Sequence, residues 1–167
     1  IWSVDIGDPN QLQNTNGELP FISSVSCNVG FFSDPRANVL AEDFLMADNR
    51  GGIAAWAGSS IGYGSVGRTL VDKLLSSAAY DSNRSLGMLT TIARLYYYQI
   101  NTPTTPLVIQ TLQLHPLLGD PYTQLAIPLK PDFDVSSNNI VLKDDPPTSD
   151  SAVTLNVAVD NFGLMAR

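Results

Sequence analysis

Two short apolar runs stand out along the chain, and each ends in small polar residues. The first covers residues 19–27 (LPFISSVSC), entered through Gly17 and Pro20 and rich in β-forming side chains. It predicts a strand that ends at Cys27. The second covers residues 53–59 (IAAWAGS). A continuous apolar run of that length predicts a strand buried on both faces, as in a parallel sheet. Between the two, Val39, Leu40, Phe44 and Leu45 recur at helical spacing. They predict a helix over residues 38–48, with Asn38 as N-cap and Gly51-Gly52 beyond its end.

After a Gly/Ser-rich stretch at 58–67 the period turns helical. Val66, Leu70, Leu74, Leu75 and Ala78 mark one helical face, and Ser85 is placed to cap a second helix that reaches about Ile100. The Pro/Thr segment 101–106 breaks that helix. Residues 107–115 predict a short helix, and residues 122–127 a last strand beyond the Gly119-Asp120-Pro121 turn. Alternating strands and helices with buried-type strands predict an α/β fold with a parallel sheet. Near Lys130 the pattern shifts once more. Turn-rich stretches at 131–134 and 144–150 (DDPPTSD) flank Ile140-Val141-Leu142 and the run 153–159 (VTLNVAV). The latter has the period of two of a half-buried antiparallel strand. The expected organisation is therefore one domain over residues 1–130, with residues 131–167 as the start of a β-sandwich too short to be complete.

Composition narrows the classes of function. Charged residues make up only 15% of the chain and the net charge is −7. With no cluster of Lys and Arg, this balance excludes nucleic acid as a partner, because phosphate binding needs cations gathered on one face. No apolar run approaches the roughly 20 residues that span a bilayer. Few charges and loops rich in Ser, Thr, Asn and Gly are common in exported proteins. A chain opening Ile-Trp reads as a fragment of something longer. No phosphate loop, metal cluster or Ser/His/Asp set is apparent, and no cofactor is expected beyond a structural calcium ion. Asp5, Asp8 and Glu18 are the acids that would join in holding one, although they lack EF-hand spacing and read more simply as solvated loop carboxylates.

One cysteine permits no disulfide within the chain, so Cys27 is either a small buried hydrophobe or a working thiol. Its place at the end of a parallel strand, just before Asn28-Val29-Gly30, is the edge at which open parallel sheets carry their sites. There its own N–H could serve a developing oxyanion. Ser59, Ser60 and Tyr63 follow the second strand on the same edge, either walling a substrate pocket or forming an ordinary Gly/Ser loop. The Tyr96-Tyr97-Tyr98 run reads as a packed helix.

The order of segments adds a further signal. LPFISSVSCNVGFF, AEDFLMADNRGGIAAWAGSS, SLGMLTTIARLYYY and HPLLGDPYTQL, spread over residues 19–125, together resemble the gingipain family of caspase-clan cysteine peptidases. In that family a hydrophobic strand ends in Ser-Cys or Ala-Cys with a glycine close behind. An Ala-Glu helix then leads through a Gly-rich turn to a second strand ending in small hydroxylated residues. The segment closes with Gly-Asp-Pro, a strand and an immunoglobulin-like domain. The resemblance implies a caspase-type three-layer αβα sandwich with a parallel sheet, present here as its second half, and then the beginning of a β-sandwich. It also implies a secreted or cell-surface bacterial endopeptidase of proteins or peptides, with Cys27 as nucleophile and a thioester acyl-enzyme. The family's catalytic histidine stands in a His-Gly pair ahead of a Trp-containing segment, which would fall just before Ile1. The missing N-terminal part of the same catalytic domain is then an expected partner, and the fragment alone is expected to be inactive. The single histidine, His115, stands where the family has no catalytic residue, and is expected to cap the short helix or pack beneath the last strand. A different reading is a non-catalytic caspase-like scaffold or binding domain whose thiol is a relic.

Overall fold

The two apolar runs pair as neighbours in the computed structural model, which describes residues 9–14, 18–33, 35–36, 38–101, 105–143 and 153–164. β1 (Phe21–Ser24) lies parallel to β2 (Ala54–Ala57), with Phe21 opposite Ala54 and Ser24 opposite Ala57. Every residue of β2 is buried. Its alanines leave room for close neighbours on one face, while Trp56 fills the other. β1 is shorter than the predicted 19–27, because from Val25 onward the chain turns out of the sheet. Among the described residues the strand order is β1-β2-β3, so β2 is central and β1 an edge.

The sheet departs from the expectation of parallel strands at its third member. β3 (Leu117–Leu118) runs antiparallel to β2, with Leu117 opposite Trp56. The predicted strand at 122–127 is not one. Apart from a single bridge between Ser85 and Gln124, that segment spends its carbonyls on the start of the third helix: Leu86 N–H donates to Thr123 and Gly87 N–H to Pro121, both at 2.9 Å. The first turn of a helix has N–H groups without internal partners, and here a neighbouring segment supplies the acceptors a second strand would otherwise have used.

Among the described residues, four α-helices dress the sheet. α1 (Leu40–Met46) starts after Val39 rather than Asn38, and the Glu42 carboxylate accepts the Val39 N–H at 3.1 Å. The chain leaves α1 through Gly51, whose φ of +89° and lack of a side chain let it pass within reach of the Phe44 carbonyl. α2 (Gly64–Tyr80) and α3 (Leu86–Ile100) follow the predicted faces, with Ser85 at the N-cap of α3. α4 (Pro106–Gln113) closes the set, with Pro106 at its first turn, where a missing N–H costs nothing. Leu70, Leu74 and Ala78 of α2 meet Leu89, Ala93 and Tyr97 of α3 over Trp56, with Val108 of α4 completing the core. Tyr97 is thus buried while Tyr96 and Tyr98 are partly exposed.

Among the described residues beyond Lys130, strands form two antiparallel pairs. β4 (Phe133–Asp134) pairs with β7 (Asp160–Asn161), and β5 (Ile140–Leu142) with β6 (Leu155–Val157). The expected half-buried face of 153–159 is not buried: Val153, Leu155, Val157 and Val159 are all exposed. Two strands cannot bury a face alone, so the alternation is present without a core to receive it.

Candidate active site

Past the end of β1 the chain is stapled to the loop that follows β2. Asn28 N–H donates to the Ser60 carbonyl at 3.2 Å, and Gly30 N–H to Gly58 at 2.9 Å. Asn28 takes φ +60°, a left-handed turn that asparagine tolerates better than most residues. Gly30 is forced by proximity: a Cβ there would lie 2.9 Å from the Ala57 carbonyl oxygen. The turn lifts Cys27 out at the carboxyl end of the parallel pair, where it is exposed. This resolves the sequence alternatives for the thiol in one respect: Cys27 is not a buried hydrophobe.

The sulfur has one close polar neighbour. Gly62 N–H donates to Cys27 Sγ at 3.4 Å, and the thiol faces the Gly62 carbonyl at 3.5 Å. The backbone N–H of Cys27 itself has no partner among the described residues and remains available to an incoming acceptor. Beneath, Val25 packs directly on Gly67 at the start of α2, so the first turn of that helix buttresses the loop.

Cys27 stands at one side of a cleft of about 350 Å³ between the turn after β1, the loop 58–63 and α4. Ser60 and Tyr63 are among the residues that line it. Ser59 does not. Its N–H and hydroxyl both donate to the Leu114 carbonyl, at 2.8 and 3.2 Å, tying the loop to the end of α4. Asp5 and Asp8 lie outside the described residues, Glu18 is exposed, and no three acids, histidines or cysteines come together to hold a metal ion among the described residues.

The residue that sequence reasoning set aside is the one the fold brings to the cleft. His115 does cap the short helix, as expected, through Nδ1 and the Thr111 carbonyl of α4, and it also lines the cavity that holds Cys27. Its carbonyl accepts Trp56 Nε1 at 2.9 Å and also the Arg94 guanidinium. Its ring meets Trp56 edge-on, with centroids 6.3 Å apart and planes at 65°. Nδ1 lies 3.0 Å from the Thr111 carbonyl, so it carries the proton and Nε2 is the free lone pair. Burial holds the imidazolium pKa below 6.5; the Thr111 carbonyl opposes this and nearby Arg94 adds to it. Arg94 is itself half-buried, and the same desolvation lowers its pKa. The signal for His115 lay in its position right after a helix that must pack at the end of β2, and not in any local motif.

A model of Peptidase family C25 matches residues 1–126. Two solved structures share the fold. One is the complex of Porphyromonas gingivalis RgpB pro- and mature domains, at TM-score 0.61 and 20% identity over 78% of this chain and 32% of that one. The other is the Arg-specific cysteine proteinase gingipain R, at TM-score 0.57 and 21% identity over 78% of this chain and 31% of that one. The chain therefore spans about a third of the length of these structures. No curated protein is significantly similar to it.

Proposed function

The chain belongs to peptidase family C25, the gingipain-like cysteine peptidases, and we propose that the protein it represents is a cysteine-type endopeptidase with Cys27 as its nucleophile. The observation that carries this is the exposure of Cys27 at the carboxyl edge of the β1–β2 pair, beside a cleft and with its own N–H unengaged. A thiol peptidase needs those three things together: a reachable sulfur, a place for the substrate side chain, and a donor for the oxyanion. The thiolate attacks the peptide carbonyl, and the C–S bond forms as the carbonyl oxygen becomes an oxyanion facing the Cys27 N–H. The leaving amine departs with a proton from a histidine, and water then hydrolyses the thioester.

The histidine of the dyad belongs, in this proposal, to a segment upstream of Ile1, which also supplies the second oxyanion donor. His115 is the only histidine of the chain, and its Nδ1 and carbonyl are committed to the scaffold. Partners are thus a protein or peptide substrate and the rest of the catalytic domain. Residues 131–167 begin a separate β-domain. The protein acts outside the cell or at its surface, as the resemblance to the gingipains implies.

The test compares the 167-residue chain with the full-length protein. The full-length protein should hydrolyse unfolded proteins, and Cys27→Ala should abolish this. The chain alone should be slower by about 10²–10⁴-fold, the usual worth of a positioned proton donor. Iodoacetamide should label Cys27 in both without denaturant. Protection of Cys27 until unfolding would refute the proposal and leave a non-catalytic scaffold.

A further inference from the structure

Behind the cleft, three elements meet on two consecutive carbonyls at the end of α4. The Leu114 carbonyl accepts both the N–H and the hydroxyl of Ser59, at 2.8 and 3.2 Å. The His115 carbonyl accepts Trp56 Nε1 from β2, at 2.9 Å, and the Arg94 guanidinium from α3. Arg94 itself lies outside the lining of the cleft. We infer that Arg94 is a positioning residue for the thiol: it fixes the end of α4, and through Ser59 that end fixes the loop to which the Cys27 turn is bonded. The inference rests on the peptidase reading above and adds to it a residue that acts from outside the cleft.

Three observations carry it. First, the bonds are continuous. Ser59 stands between Gly58 and Ser60, whose carbonyls accept the N–H groups of Gly30 and Asn28 at 2.9 and 3.2 Å. From the Arg94 guanidinium to the residue after Cys27, the path runs through backbone groups and one hydroxyl, with no long side chain to absorb a displacement. A shift at the end of α4 therefore moves both acceptors of the turn together. Second, packing alone does not hold that end. α4 has eight residues, its buried side chains are Val108 and Thr111, and Leu112, Gln113, Leu114 and His115 are all at least partly exposed. A helix this short is marginal by itself, so directed bonds decide where its last carbonyls point. Third, Arg94 is not there to fill space. Burial lowers the pKa of its guanidinium, and its Nε is sealed from solvent with no partner among the described residues. Desolvating a cation costs stability, and an apolar side chain of similar length would occupy the site without that cost. What the arginine adds is the bond to the His115 carbonyl. Misplacing a reacting group by about 1 Å can cost on the order of 100-fold in rate, so a bond far from the sulfur can still govern attack.

The experiment uses the full-length protein, with kcat and KM measured on fluorescently labelled casein. Arg94→Met should lower kcat by about tenfold or more, with KM within about twofold. Arg94→Lys, which returns a charged donor on a stem of similar length, should recover most of that loss. Ser59→Ala removes the hydroxyl link and should lower kcat about threefold. The double variant should be about as slow as Arg94→Met alone, where independent sites would multiply to about thirtyfold. Arg84→Met loosens the fold at the opposite end of α2 from the Gly67 contact, and should leave kcat within about twofold wherever it is folded. Loss of stability by itself therefore does not imitate the effect. Arg94→Gln, too short to reach the carbonyl, is read in the same way should Arg94→Met fail to fold. An unchanged kcat in the Arg94 variants, a loss that falls on KM alone, or an equal loss in Arg84→Met would overturn the inference. Hydrolysis by the wild type that Cys27→Ala abolishes would meanwhile keep the peptidase reading intact, and its absence would overturn both.

Discussion

At the scale of single residues, Gly30 and His115 make the sharpest claims. The Cβ of Gly30→Ala would collide with the Ala57 carbonyl, a backbone atom that cannot turn aside. The variant should lose about 1–3 kcal/mol in urea unfolding. Its Cys27 alkylation rate should also change, because the same hydrogen bond that fixes Gly30 fixes the turn carrying the thiol. An unaltered rate would mean that the turn holds without that bond. His115 gives a prediction with a sign. Its folded pKa lies below 6.5 through burial. Above that pH the imidazole is neutral in both folded and unfolded chains. As pH falls through it, the unfolded chain takes up the proton first, and stability is lost until the folded pKa is reached. The urea midpoint should therefore drop from about pH 7.5 to about pH 5.5, and His115→Gln should remove part of the drop. An identical slope in the variant would show that other groups carry it. Cys27 was legible in the sequence because strand end and thiol are adjacent there. His115 was not, since only the packing of α4 against the loop after β2 brings it to the cleft, a contact between segments far apart in the chain.

Among elements, the turn between α2 and α3 depends on one side chain. Arg84 is 5% exposed. Its guanidinium donates to the carbonyls of Ala78 and Asp81 at the end of α2, and of Ile127 and Pro128 in the distant closing segment. A charged donor shared among these carbonyls welds three pieces of chain. Arg84→Met keeps much of the volume but orphans those carbonyls, and should cost roughly 2–4 kcal/mol by urea denaturation. A loss below about 0.5 kcal/mol would mean that water replaces the guanidinium. This joint was invisible in the sequence, where Arg84 is an ordinary loop cation. The helices it joins were plain, because fifteen or more residues of periodic pattern outweigh any local ambiguity. Strands fared unevenly for the opposite reason. β3 has two residues and no period to read, while 122–127 has strand-like composition yet lends its carbonyls to α3.

On the scale of the whole molecule, we propose a domain boundary near Lys130, where the period of the sequence and the burial of its apolar residues both change. Dilute protease should cut first between Lys130 and Asp150, leaving a fragment that retains residues 19–59, and first cuts inside 19–59 would contradict the boundary. The sequence showed that strands follow this point but not what would cover them, because a period of two states which face is apolar and not what lies against it. The staple between the turn after β1 and the loop after β2 has a reach beyond either. Asn28 and Gly30 are bonded to the carbonyls of Ser60 and Gly58, so in the proposed peptidase the attacking sulfur and the rim of the substrate cleft are mechanically one piece. A side chain that seats badly against the rim must then misalign the sulfur as well, by the same small rotation. Recognition and attack become a single degree of freedom, and poor substrates should be penalised in kcat with KM nearly unchanged.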